Sequence, residues 1–574
     1  MGPAPARVLF AARSAAALHR LLDLLPVFEG DDRVRCRFTL VPGSEFDTDA
    51  LAAVDAAGAR CLPWSEARAA DHDLILTASP KGGLGDLRGH QVLLPHGAGF
   101  NKALPDEGSP VLPSGLDPAF LLSDGRPTAT LHALAHPSQV ERLAAQLPSA
   151  RGHAIVAGDP TLDRILESLD RRDAIRAALG TGARRLVVLS STWGPESLLA
   201  RRPGLPASLA ARLPHDAYQL ALIVHPNEYS RTGAFDLVRQ LRPALDAGLV
   251  LAAPYEEWAA LLVACDVVVS DHGSVALYAA ALDRPVVAGC VGASELIPGS
   301  PMAELLSSVP HLDLDTAAVA LASAEPARTR RFAEQAFALT GESLETLRAE
   351  LYKLLGLSPS PYPVRSRPLP VPGPARTAPH APAAFAVRAV TEGRRVTVER
   401  LPPWTDLPLH HRAAEYGRAG VRQLQSAALI YQRCGNGSSD QPRTNEPSPN
   451  QHHTNRHHTN WHHTNWHQEY RTAADRTAEV LDEYPGCRTA AVVLSPSACL
   501  VRRDGAEPFT LRIGPTRAGT RIRLTDPAAA LSAVHAWLGA HPLALPSTLT
   551  ARIGDTDYRV DLTPATEAEL AHPA

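Results

Sequence analysis

Two series of short apolar strands separated by helical stretches run through the first 350 residues, and they limit the fold more than any other feature. In the first series, RVLFAA (7–12), VRCRFTLV (34–41), DLILT (73–77), QVLL (91–94) and HAIVA (153–157) read as strands. The stretches 15–25 and 49–57 between them carry helical patterns. The second series continues with RLVVL (185–189), LALIV (220–224), 249–251, DVVV (266–269) and PVVA (285–288). Strands alternating with helices build parallel α/β sheets. A chain of 574 residues is too long for one core. Two such series predict an α/β fold with two Rossmann-like domains, 6–160 and 161–355, and a site in the cleft between them.

Proline density over 356–384 predicts a semi-rigid linker. Beyond it, 385–574 reads as a small α+β module: FAVRAVTEGRRVTVERL is a hairpin pattern, FTLRI and LTARIGDTDYRVDL suggest more antiparallel pairing, and AAALSAVHAWLGA reads as an amphipathic helix. A repeat of the form [RW]HHTN interrupts the module within 436–467 and its flank, and holds seven of the 24 histidines. Clustered imidazoles bind zinc, copper or nickel. Within the repeat no cysteine or carboxylate completes a fixed ligand set, so the stretch reads as a low-complexity insertion too polar to fold by itself.

Net charge is −4, so no global basic field points to nucleic acid. Lysine is almost absent (Lys81, Lys102 and Lys353), and the Ala, Pro and Arg richness is that of a GC-rich genome, actinobacterial in style. The seven cysteines are scattered without a CxxC pair and read as reduced thiols of a cytoplasmic protein. The N-terminus passes directly into a strand pattern rather than a signal-peptide core, and no run reaches the ~18 apolar residues of a membrane span. Any membrane contact is therefore expected to be peripheral.

Chemistry concentrates where strands end. Residues 270–274 read SDHGS, directly after the unalternating apolar run Val267–Val269 and before an alanine-rich helix. Ser270, Asp271 and Ser274 are candidate helix caps, and Gly273 allows close backbone approach. A helix N-terminus suits phosphate, although an ordinary well-capped turn fits the same residues. Three other strands end likewise: on His96 and Gly97; on Ser191, Thr192 and Trp193; and on His225 and Pro226, with Glu228 close behind. Histidines at strand ends suit a general base and an anion donor, or they merely satisfy the strand end. Four polar strand ends in one chain favour a shared site.

The order of these motifs resembles the CDP-glycerol glycerophosphotransferase family, GT-B-fold enzymes of the teichoic-acid-polymerase type. The residues that carry the resemblance are His96–Gly97; Gly158, Pro160 and Asp163 in VAGDPTLD; Ser191–Thr192–Trp193; His225–Pro226; and Asp271 with Ser274, followed by Asp283–Arg284–Pro285. Where the family has Asp-Tyr-Ser-Ser, this chain has Asp271, His272, Gly273 and Ser274. The resemblance implies a GT-B-like cleft in which a glycerol-phosphate, alditol-phosphate or sugar group passes from a nucleotide-diphosphate donor to a hydroxyl acceptor, as in cell-envelope or polymer biosynthesis. It implies His96 as base on the acceptor, His225 on the pyrophosphate, and Ser270, Asp271, His272, Gly273 and Ser274 around the donor phosphates. Gly97, Ser191, Thr192, Trp193, Pro226 and Glu228 are further cleft candidates. It demands no metal or other cofactor, and its acceptors include lipid-linked ones at the inner face of the membrane. An epimerase of the UDP-N-acetylglucosamine 2-epimerase type and a non-catalytic nucleotide-binding protein remain open on the same scaffold, as does the oligomeric state.

Overall fold

The computed structural model describes residues 4–43, 54–55, 58–95, 97–103, 112–113, 115–123, 125–254, 257–372, 382–433, 471–518, 521–542 and 545–574. His96, the insertion 436–467, most of the helical stretch 49–57 and residues 373–381 of the linker lie outside them. The chain forms two compact units, one of Met1–Leu213 with Tyr218–Ala381 and one of Pro214–Ala217 with Pro382–Ala574.

The first unit holds two parallel sheets. In the first sheet are β1 (Ala6–Ala12), β2 (Val34–Leu40), β3 (Cys61–Leu62), β4 (Asp71–Thr77), β5 (Arg88–Leu93), β6 (Leu131–Leu134) and β7 (Ala154–Val156), ordered β3-β2-β1-β4-β5-β6-β7. β1 is buried along Val8–Ala12 because its residues are apolar on both faces. Ser14 opens α1 (Ala15–Leu22) by accepting the Ala17 N–H. α2 (Pro137–Gln146) follows β6, and α3 (Pro160–Glu167) follows β7, capped by Asp159 with Pro160 at its first position.

In the second sheet are β8 (Arg185–Ser191), β9 (Tyr218–Val224), β10 (Val250–Leu251), β11 (Val267–Ser270) and β12 (Val286–Ala288), ordered β10-β9-β8-β11-β12. Its helices include α4 (Pro226–Thr232), α5 (Glu257–Ala264) and α6 (Val275–Ala281). In both sheets the direction of winding reverses beside the first strand, between β1 and β4 and between β8 and β11. Ligands of doubly wound sheets bind outside the strands' carboxyl ends at that point. Both sheets contribute walls to one cavity, so the first unit has the GT-B-like arrangement of two Rossmann-like domains facing a cleft.

One helix crosses between the domains. α7 (Ser343–Leu355) falls in the second series by sequence, yet Leu344, Leu347, Leu351 and Tyr352 pack with Val8, Phe10 and Leu74 in the core of the first sheet. The junction VAGDPTLD sets up this return. Asp163 accepts from the N–H groups of Gly341 (2.6 Å) and Ser343 (3.0 Å) and from the Ser343 hydroxyl. Gly158 has φ +77°, and a Cβ there would stand 3.0 Å from Ser343 Cβ.

The second unit departs from the small α+β module expected of its sequence. Nine strands close a barrel: β13 (Ala384–Glu392), β14 (Arg395–Leu401), β15 (His411–Glu415), β16 (Leu429–Arg433), β17 (Thr489–Ser495), β18 (Ala498–Arg503), β19 (Phe509–Ile513), β20 (Thr548–Ile553) and β21 (Thr556–Pro564). Three pairings are parallel (β14 with β20, β15 with β16, β16 with β17), which short-range alternation could not reveal. The helix expected to be amphipathic, α8 (Pro527–Ala540), is instead buried nearly all round and packs with residues of all nine strands. A barrel wider than eight strands is not filled by its side chains alone. A helix thinned by Ala528, Ala529, Ala530, Ala533 and Ala536 fills this one. Its N-cap Asp526 pairs with Arg400 (2.9 Å) and Arg433 (2.7 Å), which hold its carboxyl well below the usual range although burial opposes them. Among the described residues no helix is long and apolar enough to cross a membrane.

Candidate functional site

The carboxyl ends of both sheets in the first unit border a cavity of about 260 Å³. Its second-sheet wall is assembled from three strand ends. β8 runs into Ser191, Thr192 and Trp193, β9 into His225 and Pro226, and β11 into the turn 271–274. His225 caps α4: its Nδ1 accepts the Asn227 N–H at 3.1 Å, and its ring lies 6.4 Å from that of Trp193. This bond orients the imidazole on the cavity wall. His272, Gly273, Ser274 and Val275 line the cavity at the head of α6. Ser274 makes no side-chain cap bond to α6, contrary to one reading of the motif.

Asp271 holds this wall together and is 1% exposed. One oxygen accepts the N–H groups of Thr192 (2.8 Å) and Leu198 (2.7 Å), and the other accepts that of Gly273 (2.9 Å). A carboxylate so buried and hydrogen-bonded cannot face phosphates. The expectation that Ser270 and Asp271 contact the donor is therefore corrected: Ser270 is fully buried at the end of β11, and both residues lie behind the cavity wall. The Gly273 N–H, expected to reach phosphate, is taken by Asp271. Glu228 is also corrected. It accepts from Thr232 Oγ1 (3.0 Å) and the Gly194 N–H (3.4 Å) and does not line the cavity.

The first-sheet wall begins with the loop after β5. Pro95 and Gly97 line the cavity, while His96 between them is outside the described residues. A Cβ on Gly97 would stand 3.4 Å from Ser274 Oγ, so this loop meets the turn of the opposite domain. Further along, Lys102 and Leu296 form an antiparallel bridge across the domains. Lys102 Nζ donates to Thr192 Oγ1 at 3.2 Å and lies 3.9 Å from Glu295 Oε2. His272 Nε2 lies 2.9 Å from the same Glu295 oxygen. Burial pushes the Lys102 ammonium down, against the pull of Asp271, Glu295 and Glu196.

Two further groups come from regions without a local motif. Arg20 of α1 forms a two-pronged ion pair with Asp159 (2.7 and 2.5 Å), and Tyr278 of α6 donates to the same carboxylate at 2.9 Å. His132 of β6 lines the cavity near Leu93, Phe100 and Leu134 and is 2% exposed. Among the described residues its Nε2 has no hydrogen-bond partner, and burial, with some help from His153, pushes it down to about 4. Among the described residues, no three His, Cys, Asp or Glu side chains gather as a metal site.

No family model and no curated protein matches the chain. Solved structures similar to it include the wall teichoic acid polymerase TagF, at 12% identity and a TM-score of 0.44, covering 61% of this chain and 89% of that one. They also include S. aureus MnaA with UDP, at 11% identity and a TM-score of 0.39, covering 62% of this chain and all of the other. A third is the UDP-GlcNAc 2-epimerase from Neisseria meningitidis bound to UDP-GlcNAc, at 11% identity and a TM-score of 0.40, covering 61% of this chain and 99% of that one.

Proposed function

We propose that the first unit is a transferase that moves an alditol-phosphate group, glycerol phosphate being the simplest, from a nucleotide-diphosphate donor to a hydroxyl acceptor. One observation carries this reading: Thr192, His225 and Ser274, from three separate strand ends, share one cavity wall at the switch point of the second sheet, and the loop of Gly97 closes on Ser274. Hydroxyl, imidazole and the head of α6 form a wall of hydrogen-bonding groups suited to an anion.

In this reading the donor diphosphate lies along that wall. His96 takes the proton of the acceptor hydroxyl, a role given to it by its place between Pro95 and Gly97 in the chain. The hydroxyl oxygen forms a bond to the phosphorus that carries the alditol. The bond from that phosphorus to the bridging oxygen breaks, and the nucleoside monophosphate leaves. His225 and Ser274 stabilise the charge that grows on the leaving group. Such chemistry is mostly positioning and charge stabilisation. A membrane-linked acceptor is a variant of the same scheme; sugar transfer would instead form the new bond at the anomeric carbon and release the nucleoside diphosphate.

Titration of CDP and UDP against wild type, His96→Ala and His225→Ala, with melting curves alongside, tests the reading. His225→Ala is expected to weaken nucleotide binding by about 1–3 kcal/mol. His96→Ala is expected to spare nucleotide binding and to lower turnover by roughly 10²–10⁴-fold. Preference for UDP over CDP points to the epimerase-type alternative. No nucleotide response at all, or losses that follow thermal stability in both variants, would overturn the transferase reading.

A further inference from the structure

We propose that Lys102 is the cation that recognises the donor's diphosphate charge, delivered from the first domain onto the wall of the second. The proposal rests on the reading of this cavity as a nucleotide-diphosphate site and names the residue that discriminates charge there. The backbone around Lys102 is held on both sides: the Ala103 N–H donates to Glu295 O at 2.8 Å and the Ile297 N–H to Asn101 O at 2.9 Å. With the backbone so fixed, the side chain lines the cavity between Thr192 and Glu295.

The charge ledger of the cavity singles this residue out. Of its described guanidinium and ammonium groups, Arg20 is locked to Asp159 at 2.5 Å and Arg164 to Asp23 at 2.9 Å. Among the described residues, the carboxylate nearest to Lys102 stands at 3.9 Å, beyond hydrogen-bond reach, and is already engaged with His272. An ammonium has three N–H donors, and among the described residues one hydroxyl at 3.2 Å takes a single one of them, on a side chain 20% exposed at the cavity. A phosphate oxygen placed beside Thr192 and Ser274 would supply the charge-assisted bonds that Glu295 does not. A diphosphate held in this way touches both domains, so donor binding would favour the closed pairing of 101–103 with 295–297.

The test titrates cytidine, CMP and CDP, and the uridine series, against full-length wild type, Lys102→Met and Lys102→Arg. Methionine retains the apolar stem without the charge, and arginine retains the charge. Expected for Lys102→Met is a diphosphate affinity lower by about 10–100-fold, with nucleoside affinity and melting temperature unchanged. Lys102→Arg should stay within about threefold of wild type. Equal losses for nucleoside and diphosphate, or a lowered melting temperature with no selective loss, would show that Lys102 only ties the domains together and would overturn the proposal. Wild type that binds no nucleotide, or binds nucleoside and diphosphate alike, removes the diphosphate reading of the cavity and this proposal with it. Wild type that prefers diphosphate while Lys102→Met keeps that preference overturns the proposal alone.

Discussion

The two sheets of the first unit share the strand order 3-2-1-4-5 around their switch points, yet their carboxyl ends are built differently. The end of the second sheet is an interlocked polar wall. Asp271 binds three backbone N–H groups, Ser191 Oγ accepts the Leu199 N–H at 3.1 Å, and His225 caps α4. The end of the first sheet is an apolar cup of Leu93, Phe100 and Leu134 around an imidazole whose Nε2 has no partner. Topology determines where a ligand binds, and edge chemistry determines what each half offers it. A prearranged wall suits the fixed geometry of a diphosphate, whereas an apolar cup with one polar group suits an acceptor recognised mainly by shape.

The largest way to break this comparison is to remove the carboxylate behind the second wall. Asp271→Ala strips the acceptor from three buried N–H groups. At about 1–3 kcal/mol for each group left unpaired, and with partial relaxation, stability should fall by about 3–5 kcal/mol. Asp271→Asn, which keeps one acceptor oxygen, should lose less. Urea melts of the full chain measure both. A loss below about 1 kcal/mol for Asp271→Ala would mean that the second wall is not interlocked in the sense argued.

The same contrast explains what could be read from the sequence. Runs such as Val267–Val269 announce strands buried on both faces, and polar residues placed directly after them announce the site. β6 carries no such signal, because LHAL holds no β-branched residue. Ser270 and Asp271 sit in the right motif, but their place in the turn puts them behind the wall. Lys102 meets Thr192 across 90 residues, and Arg20 meets Asp159 across 139, so no local pattern signals either pair. The barrel was hidden for a related reason. Its parallel pairings and central helix depend on long-range closure, and an alanine-rich helix reads as amphipathic until something surrounds it.

A smaller effect probes the loop where the two edges meet. Gly99 has φ +93°, and a Cβ there would stand 2.6 Å from Gln139 Nε2. Gln139 has little freedom to retreat, since its amide binds both the Ala135 N–H and Ala336 O at 3.0 Å. Gly99→Ala should therefore lower stability by about 2 kcal/mol. Gly97→Ala meets Ser274 Oγ only at 3.4 Å without a left-handed backbone, and should stay within about 0.5 kcal/mol. Equal losses in thermal melts of the two variants would show that the loop is not held from the first-sheet side.

The smallest effect concerns His132 and has the opposite sign. Its Nε2 is buried without a partner among the described residues, which ordinarily destabilises a fold. His132→Leu removes the unpaired group and keeps an apolar filling among Leu93, Phe100 and Leu134. Stability at neutral pH should rise by about 1 kcal/mol. The variant should also resist acid better. Burial pushes the folded-state His132 down to about 4, below the ~6.5 of an unfolded chain. The neutral imidazole is therefore favoured by folding, and the contribution is fully present above pH ~6.5 and is lost as pH falls from there toward 4. At pH 5.5, one unit below the unfolded value, the wild type should have lost about 1.4 kcal/mol that the leucine variant retains. Other depressed histidines, His411 at about 2 and His535 at about 4, add acid sensitivity common to both proteins. The informative quantity is thus the difference between wild type and His132→Leu in urea melts at pH 7.5 and 5.5. A difference that does not change with pH would mean that His132 has a partner for its charged form, and the first edge would then be as well satisfied as the second.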